Sequence, residues 1–279
     1  MLTETTVTGM RDTARALRVQ GARLAIVPTM GALHEGHLAL VDAARRSADA
    51  VIVSIFVNPL QFGPREDFTS YPRTLAADAA ALGARGVSAI FAPGVEDMYA
   101  QGERTTVVPP LFADLFEGAV RPGHFTGVLT VVAKLFNIVQ PNIAVFGQKD
   151  LQQLSLVRAM VRDLDFPLTI EAVETVREAD GLAMSSRNRY LSEPDRIRAT
   201  QLFAALATAR SAFARGERDP LQLAAEGEAV LARDSALTVD YFAVVHPETF
   251  AIAAEPAIGD AVIAAVRVGT TRLIDNVTL

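Results

Sequence analysis

The sequence predicts an α/β chain, a doubly wound parallel sheet followed by a smaller α+β domain. Three observations point there. Short apolar runs rich in β-branched residues alternate with helical segments through the first part of the chain. The stretches between successive runs are long enough to hold crossover helices, as parallel strands require. After about Glu174 the alternation gives way to two long alanine-rich helices and then three short strands. A boundary between residues 175 and 176 follows, dividing the chain into 1–175 and 176–279. No internal repeat or low-complexity linker is visible.

Thr8 is placed to cap a first helix that ends near Gly21. The run Leu24 to Pro28 reads as a buried strand, and a helix follows from about His37 to Ser47. Val51 to Val57, bounded by Asn58 and Pro59, reads as a second buried strand and completes a βαβ unit. A polar loop from Asn58 to Arg73, with NPLQFG and YPRT, precedes a helix at Thr74 to Leu82 and a strand at Val87 to Phe91. A long helix from Phe125 to Val139 leads to the strand Ile143 to Phe146, the turn GQKD and a helix from Leu151 to Leu164. In the second domain the helices are Pro194 to Arg215 and Pro220 to Arg233, and the strands Val239 to Val245, Ala261 to Val268 and Arg272 to Val277.

Composition narrows the function. Half of the 279 residues are hydrophobic, yet no run reaches the ~20 residues of a membrane span, and Val128 to Val139 carries Lys134 and Asn137. The start, MLTETTVTGMRD, lacks a basic segment followed by an apolar one. A protein without membrane attachment, located in the cytoplasm, is expected. The absence of cysteine removes disulfides, thiolate nucleophiles and thiolate-bound metals, so any catalysis must use oxygen and nitrogen groups. A net charge of −6 argues against nucleic acid as a partner.

The most informative segment is PTMGALHEGH, Pro28 to His37. It sets two imidazoles, His34 and His37, where a strand hands over to a helix whose N-terminal dipole, about half a charge, attracts anions. A zinc-protease reading fails because the histidines are one residue too close and the helix start is broken by Gly36. A Walker loop fails because His37 and Leu38 stand where lysine and serine or threonine belong, and no GxGxxG follows a predicted strand. What survives is a phosphate site in which imidazoles take the place of the lysine. Lys149 and Asp150 after a strand, Gln61 in a loop, and the cationic hydroxyl-rich MSSR from Met184 to Arg187 are all placed to reach the same carboxyl edge of the sheet. Together they suggest chemistry on a triphosphate.

These residues carry a resemblance. PTMGALHEGH, VSIFVNPLQFG, YPRT, FGQKD with its following QQL, VREADGLAMSSRNRYL and the late GTTRLIDN are similar, in order, to the pantothenate synthetases (pantoate–β-alanine ligases), members of the Rossmann-like HxGH nucleotidyltransferase superfamily. The resemblance implies ATP-dependent condensation of pantoate with β-alanine to pantothenate, with AMP and diphosphate released by way of an enzyme-bound pantoyl adenylate, a step of coenzyme A biosynthesis. It implies that Met30, Gly31, Ala32, Leu33, His34, Glu35, Gly36 and His37 form the ATP-binding turn. His34 and His37 would contact the triphosphate, His37 as the proton donor.

It further implies that Gly147, Gln148, Lys149 and Asp150 hold the nucleotide, with Lys149 catalytic at phosphate and Asp150 at ribose. Val176 with Met184, Ser185, Ser186 and Arg187 would form the opposite wall. Gln61 and Gln153 would bind pantoate, and Gln61 also β-alanine. Mg²⁺ is the implied cofactor; Asp78 is a candidate ligand, and no protein ligand is assigned. A homodimer is implied. The stretch Asp180 to Arg187, hinged at Gly181, is expected to act as a lid that keeps water from the mixed anhydride, and the second domain would share in closure. Two other readings stay open: a simple nucleotidyltransferase that leaves the nucleotide on its product, and a nucleotide-binding module without catalysis.

Overall fold

The computed structural model describes residues 1–279 apart from 65, 100 and 103. Residue 65 belongs to the expected polar loop and so lies outside the described residues. The chain divides into two compact units. The first comprises residues 1–147 and 156–173, the second residues 148–155 and 174–279.

The first unit is built on a six-stranded sheet: β1 (Leu2–Glu4), β2 (Leu24–Thr29), β3 (Ala50–Ile55), β4 (Ala89–Phe91), β5 (Ile143–Gly147) and β6 (Thr169–Val173). All pairings are parallel, in the order β1-β4-β3-β2-β5-β6. The connections are α1 (Val7–Val19), α2 (Glu35–Ser47), α3 (Leu75–Ala84), the short α4 (Val95–Met98) and α5 (Glu117–Val120), α6 (His124–Val139) and α7 (Leu151–Asp163). On one face Ala25, Val27, Val51, Val53, Ile143 and Val145 form a core with Leu38, Val41 and Ala44 of α2 and Leu82 of α3. The intervening strand residues Leu24, Ile26 and Ile52 are fully buried as well, with α1 and α6 packing on each other and on β2. Strands covered on both faces read as continuous apolar runs, which is the pattern that predicted a doubly wound sheet.

Local chemistry sets the ends of these elements. α1 is capped by Thr6 and not by the expected Thr8: the Thr6 hydroxyl accepts the Gly9 N–H at 3.1 Å. At the far end of α6, Arg18 donates to the carbonyls of Val139 and Gln140, where a cation suits the negative end of the dipole. β1 and β6 were not expected. Both lie at the sheet's edges, each is partly exposed, and neither carries a continuous apolar run.

The second unit holds α8 (Glu193–Ala214), α9 (Pro220–Leu231) and an antiparallel sheet of β7 (Leu237–Val245), β8 (Ala261–Val268) and β9 (Thr271–Thr278) in that order. Ser192 and Asp219 cap the two helices, accepting N–H groups of Asp195 and Leu221, and proline occupies the first turn of each. Leu202, Ala205, Leu206 and Ala209 of α8 bury against Val262, Ala264 and Val266 of β8.

Residues 148–155 group with this unit, whereas the sequence expectation set them in the first domain. The physical reason is on β9 and the loop after β7. The Asn276 side chain donates to the carbonyls of Gln148 and Lys149, and the Ser155 hydroxyl donates to the Pro247 carbonyl at 2.6 Å.

Inside the second unit, Arg177 makes a two-pronged ion pair with Asp275, whose side chain is 1% exposed. Burial pushes the Asp275 carboxyl up; the Arg177 hydrogen bonds and the Asn276 N–H draw it down. The guanidinium also lies 4.1 Å over the Phe203 ring. Removing one partner of a buried pair strands the other charge. Arg177→Met should therefore lower stability by about 3–5 kcal/mol in thermal or denaturant unfolding, while the double change R177M/D275L should cost clearly less. A single variant as stable as the unaltered chain would contradict this account.

Candidate active site

In the first unit, β2 has β3 on one side and β5 on the other. The chain leaves β2 toward β3 and reaches β5 only after β4, so the winding reverses here. Ligands of open parallel sheets settle beyond the carboxyl ends of strands at such a point. The β2–α2 connection, residues 30–34, begins there.

That connection is held by a carboxylate. The Thr29 hydroxyl donates to the Ser54 carbonyl at 2.7 Å and accepts the Gly31 N–H at 3.2 Å, tying the start of the turn to β3. Gly31 and Ala32 then take left-handed conformations, φ +83° and +51°. At Gly31 a Cβ would come within 3.0 Å of Ile55 Cγ2 and 3.1 Å of Asp78 Oδ2, so glycine is required by space as well as by torsion. Asp78 of α3, 3% exposed, accepts the Ala32 N–H at 3.0 Å, the Leu33 N–H at 2.9 Å and the Thr74 hydroxyl at 3.1 Å. Asp78 is thus a backbone anchor of the turn. Among the described residues no group of three or more His, Asp or Glu side chains gathers to hold a metal.

The turn delivers His34 to the N-cap of α2 in extended conformation. The His34 N–H donates to Nδ1 of His37 at 3.4 Å, and the two ring centroids are 4.1 Å apart with a tilt of 36°. A ring accepting at Nδ1 carries its proton at Nε2 when neutral. The two imidazoles therefore sit together, tilted against each other, at the helix start, with Nε2 the donor of His37 when neutral. Glu35 does not share it: its side chain is exposed and pairs with Arg85 at 3.1 Å.

Gln61 ends a single 3-10 turn after β3. Its amide is fixed at both ends, Oε1 accepting from Asn58 at 3.0 Å and Nε2 donating to the Met30 sulfur at 3.2 Å. Asn58 is held in turn by the Tyr99 hydroxyl at 2.8 Å and by the Gly127 carbonyl at 3.1 Å. The turn packs so tightly on α6 that a Cβ at Gly127 would lie 2.2 Å from the Leu60 oxygen. Its last carbonyl is gripped by Arg121 at 3.2 Å and by His124 Nδ1 at 2.8 Å, and Arg121 also meets His124 Nε2 at 3.0 Å. Since the carbonyl only accepts, His124 is protonated at Nδ1 and accepts at Nε2. Burial, aided by the Arg121 charge, lowers its pKa from 6.5 to about 4.

The second unit carries the other predicted residues. Gln148, Lys149 and Asp150 form a 3-10 turn leading into α7, and Gln153 lies half-buried on that helix. Residues 176–184 form a hairpin: Met184 N–H donates to the Val176 carbonyl at 3.0 Å, Arg177 bridges Ala183, and Glu178 N–H meets the Leu182 carbonyl at 2.9 Å. Ser185 caps the next turn by accepting the Arg187 N–H at 3.2 Å. The expected lid is anchored. Arg196 binds Glu178 and Asp180, each at 2.7 Å, and holds the Asp180 carboxyl below the usual range. Asn188 ties Glu178 to the Ala183 carbonyl. Gly181, φ +91°, sits at the hairpin tip with the Phe203 ring where a Cβ would go. In this conformation it serves the turn.

The structure therefore joins the turn at residues 30–37 and Gln61 within one unit, and residues 148–150 and 176–187 within the other. A family model described as pantoate-beta-alanine ligase matches residues 3–278. The chain belongs to this ligase family. A curated pantothenate synthetase of Acidobacterium capsulatum is 55% identical over 92% of this chain and 86% of its own length. The crystal structure of pantothenate synthetase from Thermus thermophilus matches with TM-score 0.93, 48% identity and 99% coverage of both chains. A ligase from Francisella tularensis, complexed with beta-gamma ATP and beta-alanine, matches with TM-score 0.81, 32% identity and coverage of 100% of this chain and 97% of its own. In the ligase described here, no described helix is long and apolar enough to cross a membrane.

Sequence reading missed the groups that set Gln61: Asn58, Tyr99, Arg121, His124 and Gly127. The one available signal was the polar cluster Arg121 to His124 at the head of an otherwise apolar helix. His124 yields a test of sign. Its folded pKa lies below its unfolded value, so between pH 6.5 and about 4 only the unfolded chain takes up this proton. Its contribution, on the order of 3 kcal/mol, is complete above pH 6.5 and is lost as pH falls toward 4. His124→Gln should flatten this part of the stability profile, which urea unfolding at stepped pH will read; an unchanged slope would contradict the buried neutral imidazole. Asp78→Ala should lower stability by about 1.5–3 kcal/mol, measured the same way, by stranding the Ala32 and Leu33 N–H groups. No loss would rule out the anchoring role.

Proposed function

We propose that the chain joins pantoate to β-alanine at the expense of ATP, releasing AMP and diphosphate, through an enzyme-bound pantoyl adenylate. The observation that carries this reading is the locked turn that presents His34 and His37 at the switch point of the sheet, in a chain of the ligase family. A pantoate carboxylate oxygen attacks the α-phosphorus of ATP while the bond to the diphosphate oxygen breaks, giving the mixed anhydride and diphosphate. Negative charge grows on phosphate oxygens as this happens. Donors fixed before the reaction stabilise that charge without reorganising. Two imidazoles at a helix N-terminus answer that need, with His37 as the proton donor.

Met30 to His37 are the proposed ATP turn of the first unit, the side chain of Glu35 aside, with Gly147 at the end of β5. In the second unit Gln148, Lys149, Asp150, Val176 and Met184 to Arg187 are assigned to the same nucleotide, Lys149 as the phosphate ammonium. Gln61, neutral and immobilised, is assigned to pantoate and β-alanine, and Gln153 to pantoate. In the second step the amine of β-alanine attacks the acyl carbon, the bond to AMP breaks, and the amine sheds a proton. Mg²⁺ would enter with ATP and would supply neutralisation of phosphate charge there, with no protein ligand assigned. A cytoplasmic homodimer is the proposed form, to be read by sedimentation.

With ATP, Mg²⁺, pantoate and β-alanine, AMP and pantothenate should appear together, and neither without pantoate. Diphosphate without later free AMP would instead indicate a nucleotidyltransferase. His37→Ala should slow turnover roughly 10²- to 10⁴-fold with the fold intact; unaltered turnover would remove His37 from proton transfer. Lys149→Ala should depress adenylate formation more than amine transfer from isolated adenylate. Equal depression of both would refute its assignment to phosphate.

A further inference from the structure

We propose that Asn276 of β9 is a positioning residue for Lys149: its side-chain amide fixes the backbone from which the lysine projects, and so serves the adenylation step. The inference rests on the assignment of Lys149 to phosphate. The Asn276 amide nitrogen donates to two consecutive carbonyls, Gln148 at 2.9 Å and Lys149 at 3.0 Å. Both acceptors are carbonyls, so the amide must present its NH₂ to them. A lysine side chain is long and flexible, and only its backbone origin can be held rigidly. A residue that binds the carbonyls of Lys149 and of its neighbour sets that origin.

Asn276 is itself clamped. Its N–H donates to Asp275 Oδ1 at 2.8 Å and its carbonyl accepts from Arg177 at 3.1 Å, with Arg177 and Asp275 paired to each other. The residue is 7% exposed. The same Arg177 heads the hairpin that ends in Met184 and donates to the Gly181 carbonyl at 3.2 Å. A short piece of β9, the IDN of GTTRLIDN, thus supports both of the second unit's ATP segments. It gives that late motif a task that contact with substrate does not require.

Pantoate-dependent exchange of labelled diphosphate into ATP reads adenylation, and isolated pantoyl adenylate reads amine transfer. Asn276→Ala, and still more Asn276→Asp, which turns carboxylate oxygens toward carbonyls, should lower the kcat of exchange roughly 10- to 100-fold. The KM for ATP should change less and amine transfer should be spared. The double variant K149A/N276A should be no slower than K149A, because Asn276 acts through Lys149. Asn276→Ser, keeping one donor, should lose less than the alanine variant and serves where that variant does not fold. Additive losses in the double variant, or full exchange by folded N276A, would overturn the inference alone. Full exchange by K149A would remove the assignment of Lys149 and the inference with it.

Discussion

A buried carboxylate holds the β2–α2 turn in a shape that its own residues do not favour. A left-handed alanine costs on the order of 1–2 kcal/mol, and Ala32 takes that conformation directly after Gly31. Asp78 compensates by accepting both following N–H groups and the Thr74 hydroxyl, in a site almost closed to water. Without it the backbone would relax and two donors would be stranded. The placing of His34 and His37 therefore depends on a residue of α3 that is far away in sequence and touches neither imidazole in the contacts described. A turn held in this way is arranged before any ligand arrives, as the proposed stabilisation of charge growing on phosphate would require.

The second unit repeats the principle with different residues. Asp275, paired with Arg177, fixes both sides of the Asn276 peptide, and the Asn276 amide then holds the Lys149 turn. In each unit a buried carboxylate organises the backbone from which a side chain of the proposed site projects, an imidazole in the first and Lys149 in the second. Gln61 is held by a related device, with neutral His124 and charged Arg121 on its carbonyl and Asn58 on its amide. On the proposed assignment of Gln61, a substrate would meet an amide whose rotamer is already chosen, which lowers the entropy lost on binding.

How much of this was legible in the sequence follows from the range of each interaction. β2, β3 and β5 were readable because strands buried on both faces leave unbroken apolar runs, and α8 and α9 because alanine-rich length leaves no other reading. β1 and β6 escaped because edge strands carry no such run. His34 and His37 were readable from imidazoles, glycines and a strand end within ten residues. Asp78 was visible only as an acid on a helix: its partners in the turn lie 45 and 46 residues away, and no local pattern encodes that contact. His124 and Asn58 were silent for the same reason, their contacts spanning 63 and 69 residues. Around Gly181 the sequence showed only a glycine beside a motif, while Phe203 and the Arg196 pairs that flank its hairpin come from α8 and were not visible.

An anchored hairpin changes how exclusion of water must work. A mixed anhydride survives only where water is kept out, and a segment flexing at Gly181 would have supplied that by local motion. The anchors make local motion costly: opening the hairpin at its tip would break the Arg196 pairs with Glu178 and Asp180 and the Asn188 bonds together. Residues 176–187 should therefore move as one piece with the sheet and helices that hold them, β9 through Arg177 and α8 through Arg196. Under the proposed chemistry, protection of the intermediate would then rest on rigidly held groups. A hinge is better sought where few side chains fasten the backbone than at a glycine surrounded by ion pairs.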